Sequence, residues 1–124
     1  MGNEMTADDL SERLLNFAVR VGKVVDALPE TRLGSHVARQ FVRCGTSGGP
    51  NYEEACAAES RADFAHKLSI VLKELRESRF WVRLIVRAEL LRKSKMTGML
   101  DEADQLCKII GSSLATARGK RKSS

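Results

Sequence analysis

Proline is almost missing from this chain: Pro29 and Pro50 are the only two among 124 residues. Long stretches therefore hold nothing that removes a backbone donor or breaks a helix. Aromatic residues are also few, with four Phe, one Trp and one Tyr, and no run rich in Val, Ile and Thr alternates as a strand would. Together these shortages exclude an all-β chain. No CxxC pair occurs, and the three cysteines, Cys44, Cys56 and Cys107, are odd in number. A secreted disulfide framework is excluded on that count, and reduced thiols in the cytoplasm are expected. Met1 to Asp9 is polar and acidic, with no secretory apolar region. No apolar stretch approaches the roughly 20 residues that a membrane helix needs.

What is present fits one globular domain over residues 1–124, with 43% hydrophobic and 30% charged residues. Helices are expected over about 8–118, with a basic tail at 119–124. The net charge of +5 hides an asymmetry. Residues 1–63 carry seven Lys/Arg against ten Asp/Glu, whereas residues 64–124 carry fourteen against six. A basic half invites an anionic partner, although ordinary helix-surface charge produces the same count.

Leu10, Leu14, Phe17, Val21, Val24 and Leu28 recur at steps of four and three, with Leu15, Ala18 and Val25 widening the stripe. This predicts a first helix ending at Pro29. A second stripe runs from Val37 through Phe41, Gly45, Gly48 and Tyr52 to Ala55. It keeps phase across Gly48-Gly49-Pro50, which predicts one helix, kinked or loosened near Pro50. Ser60 followed by Asp63 marks the start of a third helix, expected to reach about Leu91. A fourth is expected to begin between Thr97 and Asp101, with Leu100, Ala103, Leu106, Ile110, Leu114 and Ala117 inward. Four amphipathic helices with short links predict an all-α, antiparallel up-down-up-down four-helix bundle.

The third helix divides into unequal faces at about 100° per residue. Phe64, Leu68, Val71, Leu75, Val82, Ile85 and Val86 form a core stripe. Ile70, Trp81, Leu84 and Ala88 form a second one, more than a single bundle needs, and are expected at an oligomer interface. Lys67 and Glu74 fall between the stripes, so a buried polar network is expected, with Asn51 and Glu54 as partners. On the far side Lys73, Arg76, Arg79, Arg83 and Arg87 form an arc of about 120°, extended by Arg92, Lys93 and Lys95. Cations at steps of three and four along a rigid rod suit successive phosphates.

Several motifs match only on paper. Gly45-Thr46-Ser47-Gly48-Gly49 fits the nucleophile elbow, yet its flanks are helical. The same glycines lack the Lys-Ser/Thr of a P-loop. Asp63 and His66 imitate half of a di-iron step, but only one copy exists. Met1-Gly2 with Thr6 fits an acylation signal. No catalytic residue, metal or cofactor is expected.

The segment Gly45-Thr46-Ser47, Asn51-Tyr52, Glu54-Ala55, then Ser60, Asp63-Phe64 and Lys67-Leu68, followed by Glu74, Glu77 and Trp81, resembles a bacterial family. This is the family of four-helix bundle or 23S rRNA-intervening-sequence proteins. The likeness runs from about Leu10 to Ala117 and departs from the family's pattern at Gly49 and Pro50. It implies an antiparallel four-helix bundle and a ring-like homopentamer. Some relatives are encoded inside insertions in 23S rRNA genes. A distantly similar group serves diversity-generating retroelements as a basic accessory protein contacting RNA and a reverse transcriptase. The resemblance carries no catalytic residues. The expected function is a non-enzymatic homo-oligomer that binds RNA or DNA through the basic face. The alternative is a structural or adaptor oligomer with a protein partner.

Overall fold

A computed structural model describes residues 5–119, and every regular element among them is a helix. The expectations for Met1-Gly2 and for tail residues 120–124 lie outside the described residues. Helix α1 spans Ala7–Ala27. The Thr6 hydroxyl accepts from the Asp9 N–H at 3.0 Å, and the Asp9 carboxylate accepts from the Thr6 N–H at 3.1 Å. This capping box satisfies donors that a helix start leaves orphaned. The bond from the Thr6 N–H holds the Asp9 carboxyl below its ordinary pKa. Leu10, Leu14, Phe17 and Val21 are buried, as their spacing requires, but Leu15 turns outward and is 56% exposed. Leu28 is extended because Pro29 disfavours a helical residue before it.

Helix α2 spans Arg32–Gly45 and α3 spans Gly48–Cys56, so the single kinked helix expected there is two. Pro50 has no N–H to return to the Thr46 carbonyl, and its ring crowds that carbonyl. Thr46 and Ser47 nevertheless stay in the right-handed helical region, with φ of −103° and −91°. The apolar phase therefore survives the break, and α2 and α3 serve as one rod of the four-helix bundle. Asn51 ties the start of α3 to the turn through the Ser47 carbonyl, which accepts from its backbone N–H at 3.2 Å and from its side-chain N–H at 2.9 Å.

Helix α4 spans Arg61–Arg87, with the Ser60 hydroxyl accepting from the Asp63 N–H at 3.0 Å. It stops short of the expected Leu91. The Leu90 N–H bonds to the Ile85 carbonyl at 3.0 Å and the Glu89 N–H to the Val86 carbonyl at 3.1 Å. That double closure needs a left-handed residue, and Glu89 supplies it at φ 55°. Helix α5 spans Lys93–Ala117 and begins earlier than expected, because the buried Met96 and Met99 carry its stripe back another turn.

Cross-helix pairs give the direction of packing. Arg61 donates to the carbonyls of Ala117 and Thr116 at the far end of α5, while Arg79 meets Asp104 nearer its start. Lys67 meets Glu54, and further along α4 the Ser78 hydroxyl meets the Cys44 thiol. Ser11 bonds Glu53, while Val21 touches Gly45. In each case one number rises as the other falls, so neighbouring rods run antiparallel. Arg13 ties α1 to α5 through two bonds to Glu102, at 2.6 and 2.9 Å.

The polar network expected under α4 is not buried and not one network. Lys67 bonds Glu54 at 2.9 Å, but their side chains are 30% and 59% exposed. Glu74 pairs instead with Arg43 at 3.4 Å, and Arg43 also pairs with Glu77. A long lysine side chain can leave the helix between apolar stripes and still carry its ammonium to the surface, where Glu54 meets it. Ser78 is the fully buried polar side chain of the described core, donating to the Glu74 carbonyl at 2.8 Å.

Two outcomes follow. A methyl group on Gly45 would lie 2.6 Å from a Val21 side-chain carbon, inside a fully buried contact. Gly45→Ala should cost about 1–3 kcal/mol in urea unfolding, and adding Val21→Ala should recover part of that. Glu74→Ala should cost only on the order of 1 kcal/mol, since Arg43 keeps Glu77 and Lys67 keeps Glu54. A loss of several kcal/mol in the same assay would restore the buried-network reading.

Candidate nucleic-acid interface

The outward side of α4 is the most strongly basic surface that one element builds. Its opposite side is buried against the rest of the molecule through Leu68, Val71, Leu75, Val82 and Ile85. That burial fixes the rotation of the helix, and the arginines follow outward from it. Lys73, Arg76, Arg83 and Arg87 are exposed, and Arg79 is partly covered. Arg79 lies 3.5 Å from Asp104 on α5. Among the described residues no carboxylate lies within ion-pair distance of Lys73, Arg76, Arg83 or Arg87. Glu77 is turned away from them, to Arg43 and to the Trp81 indole N–H at 3.3 Å.

Arg76 and Arg79 stand over Cys107 of α5. Burial pushes that thiol's pKa up, and the two guanidinium groups pull it partly back. Cys44 is buried deeper, with its pKa pushed up to about 11 chiefly by desolvation. Cys56 alone of the three is exposed. Beyond α4, Arg92, Lys93 and Lys95 are exposed around the start of α5. No side chain caps that start and its first turn holds no acid, so free N–H groups and three cations share one end.

The second apolar stripe of α4 is divided. Trp81 and Leu84 pack partly against the chain's own core. The Trp81 ring meets His36 edge-on at 5.8 Å and Phe80 at 5.1 Å. Ile70 is half-buried and Ala88 exposed. Sequence reasoning passed over Phe80, which is 53% exposed. It sits at the angular position of the arginines, where a polar residue would be routine. The larger exposed apolar side chains include Leu15 and Val19 on α1 and Val42 on α2.

The paper motifs also find their places. Ser47 donates its hydroxyl to the Cys44 carbonyl at 3.1 Å within the α2–α3 turn, with no strand before it. Asp63 and His66 are exposed on the first turns of α4, and among the described residues no group of three or more His, Cys, Asp or Glu could hold a metal ion. No described helix is long and apolar enough to cross a membrane.

Comparison with known proteins gives a family. The family described as 23S rRNA-intervening sequence protein matches residues 9–112, from the first turn of α1 to late in α5. A solved structure from Bacteroides thetaiotaomicron VPI-5482 is similar at 32% identity and a TM-score of 0.79, covering 85% of this chain and 97% of that one. It is described as a protein with unknown function from the S23 ribosomal protein family. No curated protein matches. A match over most of the length, on the same helical fold, means that the chain belongs to the 23S rRNA-intervening sequence protein family.

Proposed function

We propose that this protein is a non-enzymatic, homo-oligomeric nucleic-acid-binding protein of the cytoplasm, with RNA as its ligand and the outer face of α4 as its contact surface. The observation that carries the proposal is the row Lys73, Arg76, Arg83 and Arg87, exposed and without a carboxylate in reach. Arg79, Arg92 and Lys93 extend it. Guanidinium groups on one rigid helix contact phosphates without reading base edges, so binding is electrostatic and weakly sequence-selective. Three unpaired thiols accord with a reducing compartment.

Self-association is the second half of the proposal. Leu15 and Val19, one turn apart on α1, are 56% and 50% exposed, and Val42 and Ile70 add apolar surface. The adjacent pair on α1 is the apolar surface that supports self-association. Leu84 and Ala88 are less suited to this role than their spacing implied, because Arg83 and Arg87 adjoin them.

Arg83→Ala with Arg87→Ala should weaken binding to many structured RNAs alike. It should also reduce the slope of log K against log salt by roughly 1.4–1.8, for two lost phosphate contacts. Equal slopes for wild type and double variant across a salt series would remove the arc from the mechanism. No binding at low salt would transfer the proposal to a protein partner. Native mass measurement at micromolar concentration should give an oligomer, and Leu15→Glu with Val19→Glu should shift it toward monomer. A lone wild-type monomer there would reject self-association.

A further inference from the structure

A shallow groove of about 450 Å³ lies between the start of α2 and the end of α4, lined by Leu33, Phe80, Arg83, Leu84, Arg87 and Ala88. Its volume falls within the roughly 300–1,000 Å³ of small-molecule sites. We propose that it holds an unpaired nucleobase stacked on Phe80, with the neighbouring phosphates on Arg83 and Arg87, so that the protein prefers single-stranded nucleic acid. This rests on the nucleic-acid reading above and names the form of ligand.

Three features of the groove converge on that occupant. Phe80 is 53% exposed, yet it is braced: it meets Trp81 at 5.1 Å with the rings at 79°. Trp81 is itself held by His36 and by its bond to Glu77. An exposed aromatic ring with a fixed neighbour loses little freedom when a flat group stacks on it. Next, the same groove carries two guanidinium groups with no acidic partner among the described residues. An apolar helix from a partner would leave both unsatisfied at its edge, whereas a nucleotide brings a flat apolar ring and an anion together. Last, a duplex keeps its base faces stacked inside, so it can meet the arginines but not the ring. A single strand can meet both.

The test compares wild type, Phe80→Ala, Phe80→Leu and Phe80→Tyr on a single-stranded oligonucleotide carrying a fluorescent base and on a duplex of equal length. Native mass is recorded for each variant. Phe80→Ala should lower single-strand affinity about tenfold, the scale of one lost base–aromatic stack, and leave duplex affinity unchanged. Phe80→Tyr should retain wild-type binding and Phe80→Leu should not, because the ring and not its bulk is required. The base fluorescence should be quenched by wild type and the Tyr variant alone. Unchanged single-strand affinity in Phe80→Ala, with salt-dependent binding intact, would overturn the base site and leave the phosphate-binding reading standing. A changed subunit number in Phe80→Ala would overturn it in favour of a second copy in the groove. Absence of salt-dependent binding to either strand form would overturn both readings at once.

Discussion

The buried stripe of α4 is the constraint from which the rest of the molecule hangs. Leu68, Val71, Leu75, Val82 and Ile85 are almost wholly excluded from water and pack against the other rods, which meet one another less extensively. A side chain of that size contributes about 1.5–3 kcal/mol when fully buried, so the stripe leaves α4 no freedom to rotate about its axis. Everything on its other side is thereby placed. At 1.5 Å per residue, Arg79, Arg83 and Arg87 are about 6 Å apart along the helix axis. The helix backbone fixes that spacing, and apolar burial on the opposite face fixes the direction in which the row points.

The same rotation separates the charges of α4 by sign. Glu74 and Glu77 turn toward α2, where Arg43 meets both, and Arg79 turns toward Asp104 on α5. The acids are thus spent on neighbouring helices, and the outermost positions are left to Lys73, Arg76, Arg83 and Arg87. Arg87 is partly offset by lying in the last turn, where the helix dipole favours a cation. The start of α5 has the reverse arrangement, with cations at the end the dipole already makes positive. Stability alone would not choose that placement. From Arg83 to Lys95 the end of α4 and the start of α5 therefore expose five cations, Arg83, Arg87, Arg92, Lys93 and Lys95, with Glu89 as the acid between them.

How much of this was legible follows from what periodicity encodes. A helical pattern reports the angle at which a residue leaves its own axis, so Leu10, Leu14, Phe17 and Val21, the core stripe of α4 and the direction of its arginines were all readable. It does not report how near a neighbouring rod comes or where a long side chain ends. Lys67 leaves α4 between two apolar stripes, yet its stem carries the charge out to Glu54 at the surface. Leu15 belongs to the apolar composition of α1 but stands 56% exposed. The break at Thr46–Ser47 was hidden because both residues keep helical angles, so the phase of the stripe passes through it. The early end of α4 was hidden for a related reason: the left-handed residue that closes it is Glu89, where glycine would have announced a stop. Phe80 escaped because a single aromatic residue on a basic face breaks no periodic pattern.

An outer face of this kind sets a limit on what one copy can do. A few phosphate contacts give weak, salt-sensitive binding, and one aromatic ring adds only one stack. Specific recognition of a sequence would require groups aimed at base edges, and the arc offers guanidinium and ammonium groups on a convex surface instead. On the proposed reading, affinity comes from number. In the proposed oligomer, copies joined through Leu15, Val19 and Val42 use side chains of α1 and α2, a different part of the surface from Lys73, Arg76, Arg83 and Arg87 on α4. Repeating the arc and its groove on a rigid assembly makes each further contact intramolecular, raising avidity without a new interaction. On the proposed reading, a bundle that associates by one face and keeps another basic reconciles two features that look contradictory in one small domain: exposed leucine and valine on α1, and arginines without an acidic partner on α4.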